Sequence, residues 1–158
     1  DNLIIGKEKF PAFSKYKLHL KQSSIARYAR ELAEKFDLRG GGINTRAGDL
    51  SGGNMQKVVV AREFSFDTPV LIIAQPTRGV DIGAIEFIHR QITDKRNQGC
   101  AVLLVSADLD EIFRLSDGII TMFEGKVTGE FKSGEIDKME ISYYMTGHRG
   151  EEGESRDN

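Results

Sequence analysis

Polar and apolar positions alternate with two rhythms along this chain, and those rhythms place its elements. Ile25, Tyr28, Ala29, Leu32, Ala33 and Phe36 recur every three or four residues, which is the spacing of one helix face. Ser23 and Ser24 stand ahead of them as cap candidates, and Gly40-Gly41-Gly42 ends the segment. A second helix is expected from Ser51 to about Phe66, carrying Met55, Val58, Val59, Arg62 and Phe64, and stopped by Asp67-Thr68-Pro69. The run VLII that follows is apolar at every position, as a strand covered on both faces should be. A helix from about Ile82 to Arg96 should bury Ile85, Ile88 and Ile92. Gly99 then resets the chain before a second all-apolar strand, AVLLV. Leu109, Ile112 and Phe113 mark a short helix. GIITMF, the turn Glu124-Gly125-Lys126 and VTGEF read as a hairpin, and a last short helix covers about Ile136 to Met145. Residues 1–22, with Pro11 and several lysines, show neither rhythm and are expected to be loop and irregular structure.

A helical front third is thus followed by strand, helix, strand, helix and hairpin. Strands separated by helices imply an α/β fold with a mostly parallel sheet, flanking helices and a C-terminal hairpin. Ligands on such sheets sit at the carboxyl ends of the strands. Those ends are Ala74-Gln75 and Ser106-Ala107.

Composition narrows the classes. The chain has 158 residues, 39% hydrophobic and 29% charged, in the range of an ordinary globular domain. A net charge of -2 provides no field to gather nucleic acid. The longest apolar runs are too short to span a bilayer. The single Cys100 excludes an internal disulfide and fits a reducing compartment. The opening DNLIIGKEKF lacks an initiator methionine, so a piece of a longer chain is expected. The charged end GHRGEEGESRDN reads as a disordered tail over residues 148–158.

The stretch LSGGNMQ (50–56) carries the first chemistry. Ser51 is a helix cap, and Gly52-Gly53 leave the first backbone N–H groups of the next helix bare. Unpaired amides at the positive end of a helix dipole make an anion site, and glycine lets a phosphate approach. A plain capped helix is the competing reading of LSGG alone.

The surrounding order of motifs decides between them. LSGGNMQ resembles the signature of the ATP-binding domains of ABC transporters. VLII-Ala74-Gln75-Pro76-Thr77 resembles their Walker B strand, Gly79-Val80-Asp81 their D-loop, and Ser106-Ala107-Asp108-Leu109 their switch loop. The resemblance covers about residues 1–147. QPTRGVDIGAIEFIH and FPAFSKY look like the second ATPase half of the tandem importers for sugars and nucleosides, most like the nucleoside-uptake branch. A partial P-loop NTPase fold is then implied. Residues 1–66 would form the helical signature subdomain with its N-terminal loop, and 67–147 the C-terminal part of the ATPase core.

The resemblance also shows what is replaced. No GxxxxGKS or GxxxxGKT sequence occurs, so the phosphate-cradling lysine loop is absent from these residues and no tight ATP binding by them alone is expected. Active family members end the Walker B strand in Asp-Glu, for Mg²⁺ and for the attacking water. Ala74 has no oxygen to offer, and Gln75 cannot take a proton at neutral pH. The switch histidine that contacts the γ-phosphate is matched by Ala107. His19, His89 and His148 read as ordinary loop or helix residues. Losing one placed base or charge stabiliser costs about 2–4 kcal/mol in the barrier, so this site should not turn over.

The signature, by contrast, is complete. By resemblance, Ser51, Gly52, Gly53 and Asn54 would face ATP held by a second, head-to-tail ATPase domain, with Gln56 assisting. Gly79 and Asp81 would couple the two sites, Asp81 also being a natural helix N-cap. Arg78 is either interfacial or a solvated turn residue. Further partners implied are transmembrane permease subunits and, indirectly, an extracellular solute-binding protein, with the subunit peripheral at the cytoplasmic face of the plasma membrane. The stretch from Asp1 to about Tyr16 either lies near the permease or is a solvated linker. ATP and Mg²⁺ would belong to the full transporter. A soluble non-transport ABC-type ATPase and a purely structural or regulatory ABC module are the alternatives. The former usually keeps Asp-Glu and adds basic arms, which this sequence lacks.

Overall fold

Fourteen residues of helical rhythm and an alternating C-terminal hairpin recur in the computed structural model, which describes residues 2–148. The expected tail therefore lies outside the described residues, apart from His148. The elements run β1 (Ser14–Lys15), β2 (His19–Leu20), α1 (Gln22–Lys35), α2 (Gly52–Phe64), β3 (Val70–Ala74), α3 (Ile82–Asn97), β4 (Ala101–Val105), α4 (Leu109–Leu115), β5 (Gly118–Phe123), β6 (Lys126–Lys132) and α5 (Lys138–Met145). The chain divides into two compact units between Leu103 and Leu104. The expected boundary at residues 66–67 separated helical from strand-bearing sequence; the compact units divide within β4.

In the first unit, α1 buries Ile25, Ala29 and Leu32, with Phe36 just beyond it at 1% exposure. Its N-cap is Lys21, which makes no side-chain cap bond. Ser23 and Ser24 fall inside the first turn, so neither caps. The first residues are more ordered than their rhythm suggested. A 3-10 turn at Asn2–Ile4 places Ile4 in a cluster with Phe13, Ile25 and Tyr28. β1 and β2 pair antiparallel around a tight turn. Tyr16 and Lys17 there have φ of 56° and 58°, a left-handed pair that suits a hairpin.

Lys7 fastens this segment to the helices. It is buried at 6% exposure, and its ammonium donates to Tyr28 Oη at 2.7 Å, Ser65 O at 2.7 Å and Ser65 Oγ at 2.8 Å. All three of its N–H donors thus have an oxygen within reach. The ammonium also lies 4.5 Å from the Phe66 ring centre.

Helix α2 buries Gly53, Val60, Ala61 and Phe64, while Met55 and Val59 are each 42% exposed. Helix α3 buries Ala84, Ile88, His89 and Ile92, and Ile85 is half-buried. β3 and β4 neighbour each other in a two-stranded sheet. They are not covered on both faces. Exposed and half-buried positions alternate along each strand, because two strands alone leave one face without a partner layer.

The second unit is built on the hairpin. β5 and β6 pair antiparallel from Gly118↔Lys132 to Phe123↔Lys126, with a register shift between Thr121 and Met122. Glu124 and Gly125 turn the chain with φ of 45° and 77°. Lys126 already belongs to the second strand, so the turn is a two-residue one. Ile119, Ile136 and Ile141 form the core, packed by Leu109, Ile112, Phe113, Phe131 and Tyr144. Among the described residues no helix is long and apolar enough to cross a membrane.

Candidate functional site

Ser51 stands outside α2 with extended backbone (φ -62°, ψ 157°). Its Oγ accepts from the backbone N of Asn54 at 3.4 Å and from Asn54 Nδ2 at 3.0 Å. Both lone-pair positions of the hydroxyl are therefore engaged, and its hydrogen remains to donate outward. Asn54 is held in turn, because its Oδ1 accepts from the backbone N of Arg39 at 3.0 Å. An exposed serine with a committed acceptor side, beside the first amides of a 13-residue helix, is suited to an anion.

The two glycines that follow differ. Gly52 is exposed, and a Cβ there would meet only Gly79 O at 3.5 Å. Gly53 is buried, and its Cβ would stand 2.8 Å from Asp81 Oδ2 and 3.6 Å from Ala84 Cβ. Only Gly52 is therefore open to an incoming phosphate. Gly53 is glycine because α3 packs against it.

Asp81 is the N-cap of α3, its Oδ1 accepting from Ala84 N at 3.0 Å. The same carboxyl group thus caps one helix and closes on the start of another. Gly79, at φ 74°, uses a conformation that L side chains rarely adopt. Gln56 does not reach toward the open end of α2. Its Nε2 donates to Pro76 O at 2.8 Å, tying α2 to the loop after β3.

At that strand end the donor-rich chemistry stops. Ala74 is exposed, Gln75 is half-buried and Pro76 is buried. Gln75 carries φ 50°, a left-handed position that turns the chain out of the sheet; Arg78 N donates back to Gln75 O at 3.2 Å. A methyl group and an amide are what this strand end offers. They do not fit a magnesium ion, which wants carboxylate or water-shell oxygens. Among the described residues there is no group of three or more His, Cys, Asp or Glu side chains that could hold a metal.

Ala107 belongs to the second unit, where it is exposed in the turn between β4 and α4. Ser106 Oγ accepts there from Asp108 N at 3.0 Å, and Asp108 caps α4 by accepting from Asp110 N and Glu111 N at 2.9 and 3.3 Å. The three imidazoles are scattered. His19 is exposed in the short strand β2, His89 is buried on α3, and His148 stacks on the Tyr143 ring at 3.9 Å.

A charged cluster beside Asn54 had no sequence signal. Asp37 accepts from Arg39 Nε at 2.9 Å and from Lys57 Nζ at 3.2 Å. The hydrogen bond from Arg39, and then that from Lys57, hold the Asp37 carboxyl below the usual carboxylate range; the same contact raises the Arg39 guanidinium. With Gly53, Asn54 and Asp81, these three side chains line a cavity of about 370 Å³. Asp37 lies in the turn after α1 and Lys57 on α2, and no local spacing links them.

Comparison with known proteins gives this geometry its family. No family model matches the chain. A nucleoside import ATP-binding protein of Lactococcus lactis is 42% identical over 147 residues, covering 93% of this chain and 29% of that protein. A glucose import ATP-binding protein of Haloferax volcanii is 47% identical over 130 residues, 81% of this chain and 24% of the relative. A guanosine import ATP-binding protein of Bacillus subtilis is 41% identical over 128 residues, 81% and 25%. The chain belongs to the ATP-binding-cassette family. It spans under a third of the length of these curated relatives. Among solved structures, a nucleotide-free cassette from an ABC transporter matches with a TM-score of 0.68 at 25% identity, covering 89% of this chain and 57% of that one. A dimeric bacterial ABC transporter cassette matches with a TM-score of 0.62 at 26% identity, covering 73% and 50%. The fold is the mixed helix and sheet of those cassettes.

Proposed function

We propose that this chain is a segment of the ATP-binding subunit of an importer for nucleosides or sugars, and that it completes a nucleotide site held mainly by another ATPase domain. Ser51, with its acceptor side taken by Asn54, is the single observation that carries the reading: a hydroxyl left as donor beside the open Gly52 suits a phosphate oxygen of bound ATP. Gly53 and Asp81 brace that end from behind. The bound nucleotide would supply the scissile phosphate bond. The chain's own part is to position and neutralise its oxygens.

Its own strand-end positions do no hydrolysis in this reading. Ala74 and Gln75 offer no carboxylate, and Ala107 no imidazole, so neither a metal-shell acceptor nor a general base is present there. The two sites of the assembled subunit would be unequal, one holding ATP and one turning it over. The names of the relatives support an importer, and the nucleoside relative, at 42% identity over the same 93% of this chain that a ribose-import relative matches at 35%, supports the nucleoside branch. A peripheral place at the cytoplasmic face of a membrane, against permease subunits, follows from that reading.

The test is ATP turnover by the complete subunit in its transporter. Ser51→Arg places a long cation where the phosphate should sit and is expected to abolish turnover. Gln75→Ala is expected to change it less than about twofold, since no proton transfer depends on it. The reverse pattern sinks the assignment.

A further inference from the structure

The turn between β1 and β2 is made of residues that a bare turn does not want. Tyr16 and Lys17 hold φ of 56° and 58°, a region that bulky side chains rarely adopt. Leu18 N closes the turn on Lys15 O at 3.2 Å. Asparagine and glycine make such turns without strain, so a tyrosine and a lysine here point to a use for their side chains. The large side chains of the tip stand in water: Tyr16 is 78% and Leu18 81% exposed. Lys15, Lys17 and His19 beside them are exposed too, and the Lys15 ammonium lies 5.4 Å from the Tyr16 ring centre.

The surroundings carry one sign. Between Glu8 and Glu31 stand Lys9, Lys15, Lys17, Lys21, Arg27 and Arg30 and no acid, in a chain of net charge -2. Lys21 turns back to donate to Pro11 O at 2.7 Å. Lys9, Lys15 and Lys17 make no ion pair among the described residues. A tip of this size cannot form a specific protein interface, which buries about 800 Å² per partner. A bilayer surface asks less. One aromatic ring and one aliphatic side chain can enter the headgroup layer while the lysines stay among anionic phosphates. We propose that the β1–β2 tip is a contact site for an anionic lipid surface, with Tyr16 and Leu18 entering the interface and Lys15 and Lys17 pairing with lipid phosphates. The contact rests on the membrane-peripheral reading above for its setting and adds lipid to the permease as something the subunit touches.

Vesicle co-sedimentation tests it on the polypeptide expressed from the complete reading frame, without permease. The probes are vesicles of phosphatidylcholine with about 30% phosphatidylglycerol, and of phosphatidylcholine alone. The parent protein is expected to sediment with the anionic vesicles at low salt, to be released by added salt, and to ignore the neutral ones. The pair Lys15→Gln and Lys17→Asn should weaken the association about tenfold. The pair Tyr16→Asn and Leu18→Ser should weaken it to a similar extent. Asparagine keeps the left-handed turn at 16 and 17, so the fold is undisturbed. Met139→Ser, at an exposed position in the second unit (84%), should leave it unchanged. Equal sedimentation with both vesicles, or with neither, overturns the proposal. So does association in both tip variants that equals the parent's, or binding seen only when permease is in the vesicles, which would make the tip a protein contact. None of these readouts involves ATP, so they remain separable from the outcome at Ser51.

Discussion

The start of α2 and the end of β3 are a short distance apart in sequence and joined by the Gln56–Pro76 hydrogen bond, yet they are furnished in opposite ways. At the first, a serine hydroxyl stands beside the leading amides of a helix, and a hydrogen-bond ladder from the Arg39 backbone N through the Asn54 side chain to Ser51 Oγ holds it there. At the second, the strand ends in a methyl group and an amide, and the backbone turns away through a left-handed residue. In the proposed reading, this strand end has the place of a phosphate-site strand end without the acids. A fold can keep the geometry of a site for packing reasons after the chemistry has left. The donor end differs because its side chains are bound to one another rather than merely present.

The comparison is sharpened first at the paired glycines. Gly53→Ala should cost about 1–2 kcal/mol in a denaturant titration. The added methyl meets an Asp81 carboxyl fixed by its own cap bond, which outweighs the helix preference for alanine. Gly52→Ala should be neutral or stabilising by up to about 1 kcal/mol, since its Cβ finds only ordinary contact. In the assembled subunit Gly52→Ala should nevertheless lower ATP turnover. If both glycines behave alike, the distinction between an open and a packed position is wrong.

Next comes Asp81→Ala, which removes the α3 cap and should cost about 1 kcal/mol of stability. Asp81→Asn should recover most of it, because the amide oxygen still accepts from Ala84 N. Asn54→Ala is expected to cost about 0.5 kcal/mol, from two lost hydrogen bonds at a half-exposed site. It should also free the Ser51 hydroxyl to rotate, raising the KM for ATP in the assembled subunit more than it changes kcat.

The smallest effect is a pH dependence. The Asp37 carboxyl is held below its ordinary range by Arg39 and then Lys57, so the unfolded chain takes up its proton first as pH falls. The stabilisation is thus complete at neutral pH and fades between about pH 5 and 2. Asp37→Asn should flatten that limb of a stability curve and leave the neutral-pH region nearly level with salt added, because the group is exposed and screened.

Much of the fold could be read from rhythm. The helices that became α1, α2 and α3 were legible because their apolar faces and breakers agree, and the Glu124-Gly125 turn because two left-handed residues suit a tight hairpin. Ser51 as a cap followed from its residue type and place. Three things were not legible. The order of residues 2–20 depends on Lys7, whose partners Tyr28 and Ser65 are far along the chain. The separate roles of Gly52 and Gly53 depend on where Asp81 arrives, which no local pattern encodes. The exposure of β3 and β4 contradicts their composition, because an all-apolar strand announces two covered faces but not which segment supplies the covering.

The ammonium of Lys7 has a practical consequence. Three oxygens and an aromatic ring surround it, so an acylating reagent meets it last among the lysines. Its modification would report the moment when the opening segment lets go of the helices, and mass spectrometry of a slow acylation series would time that release without any engineered label.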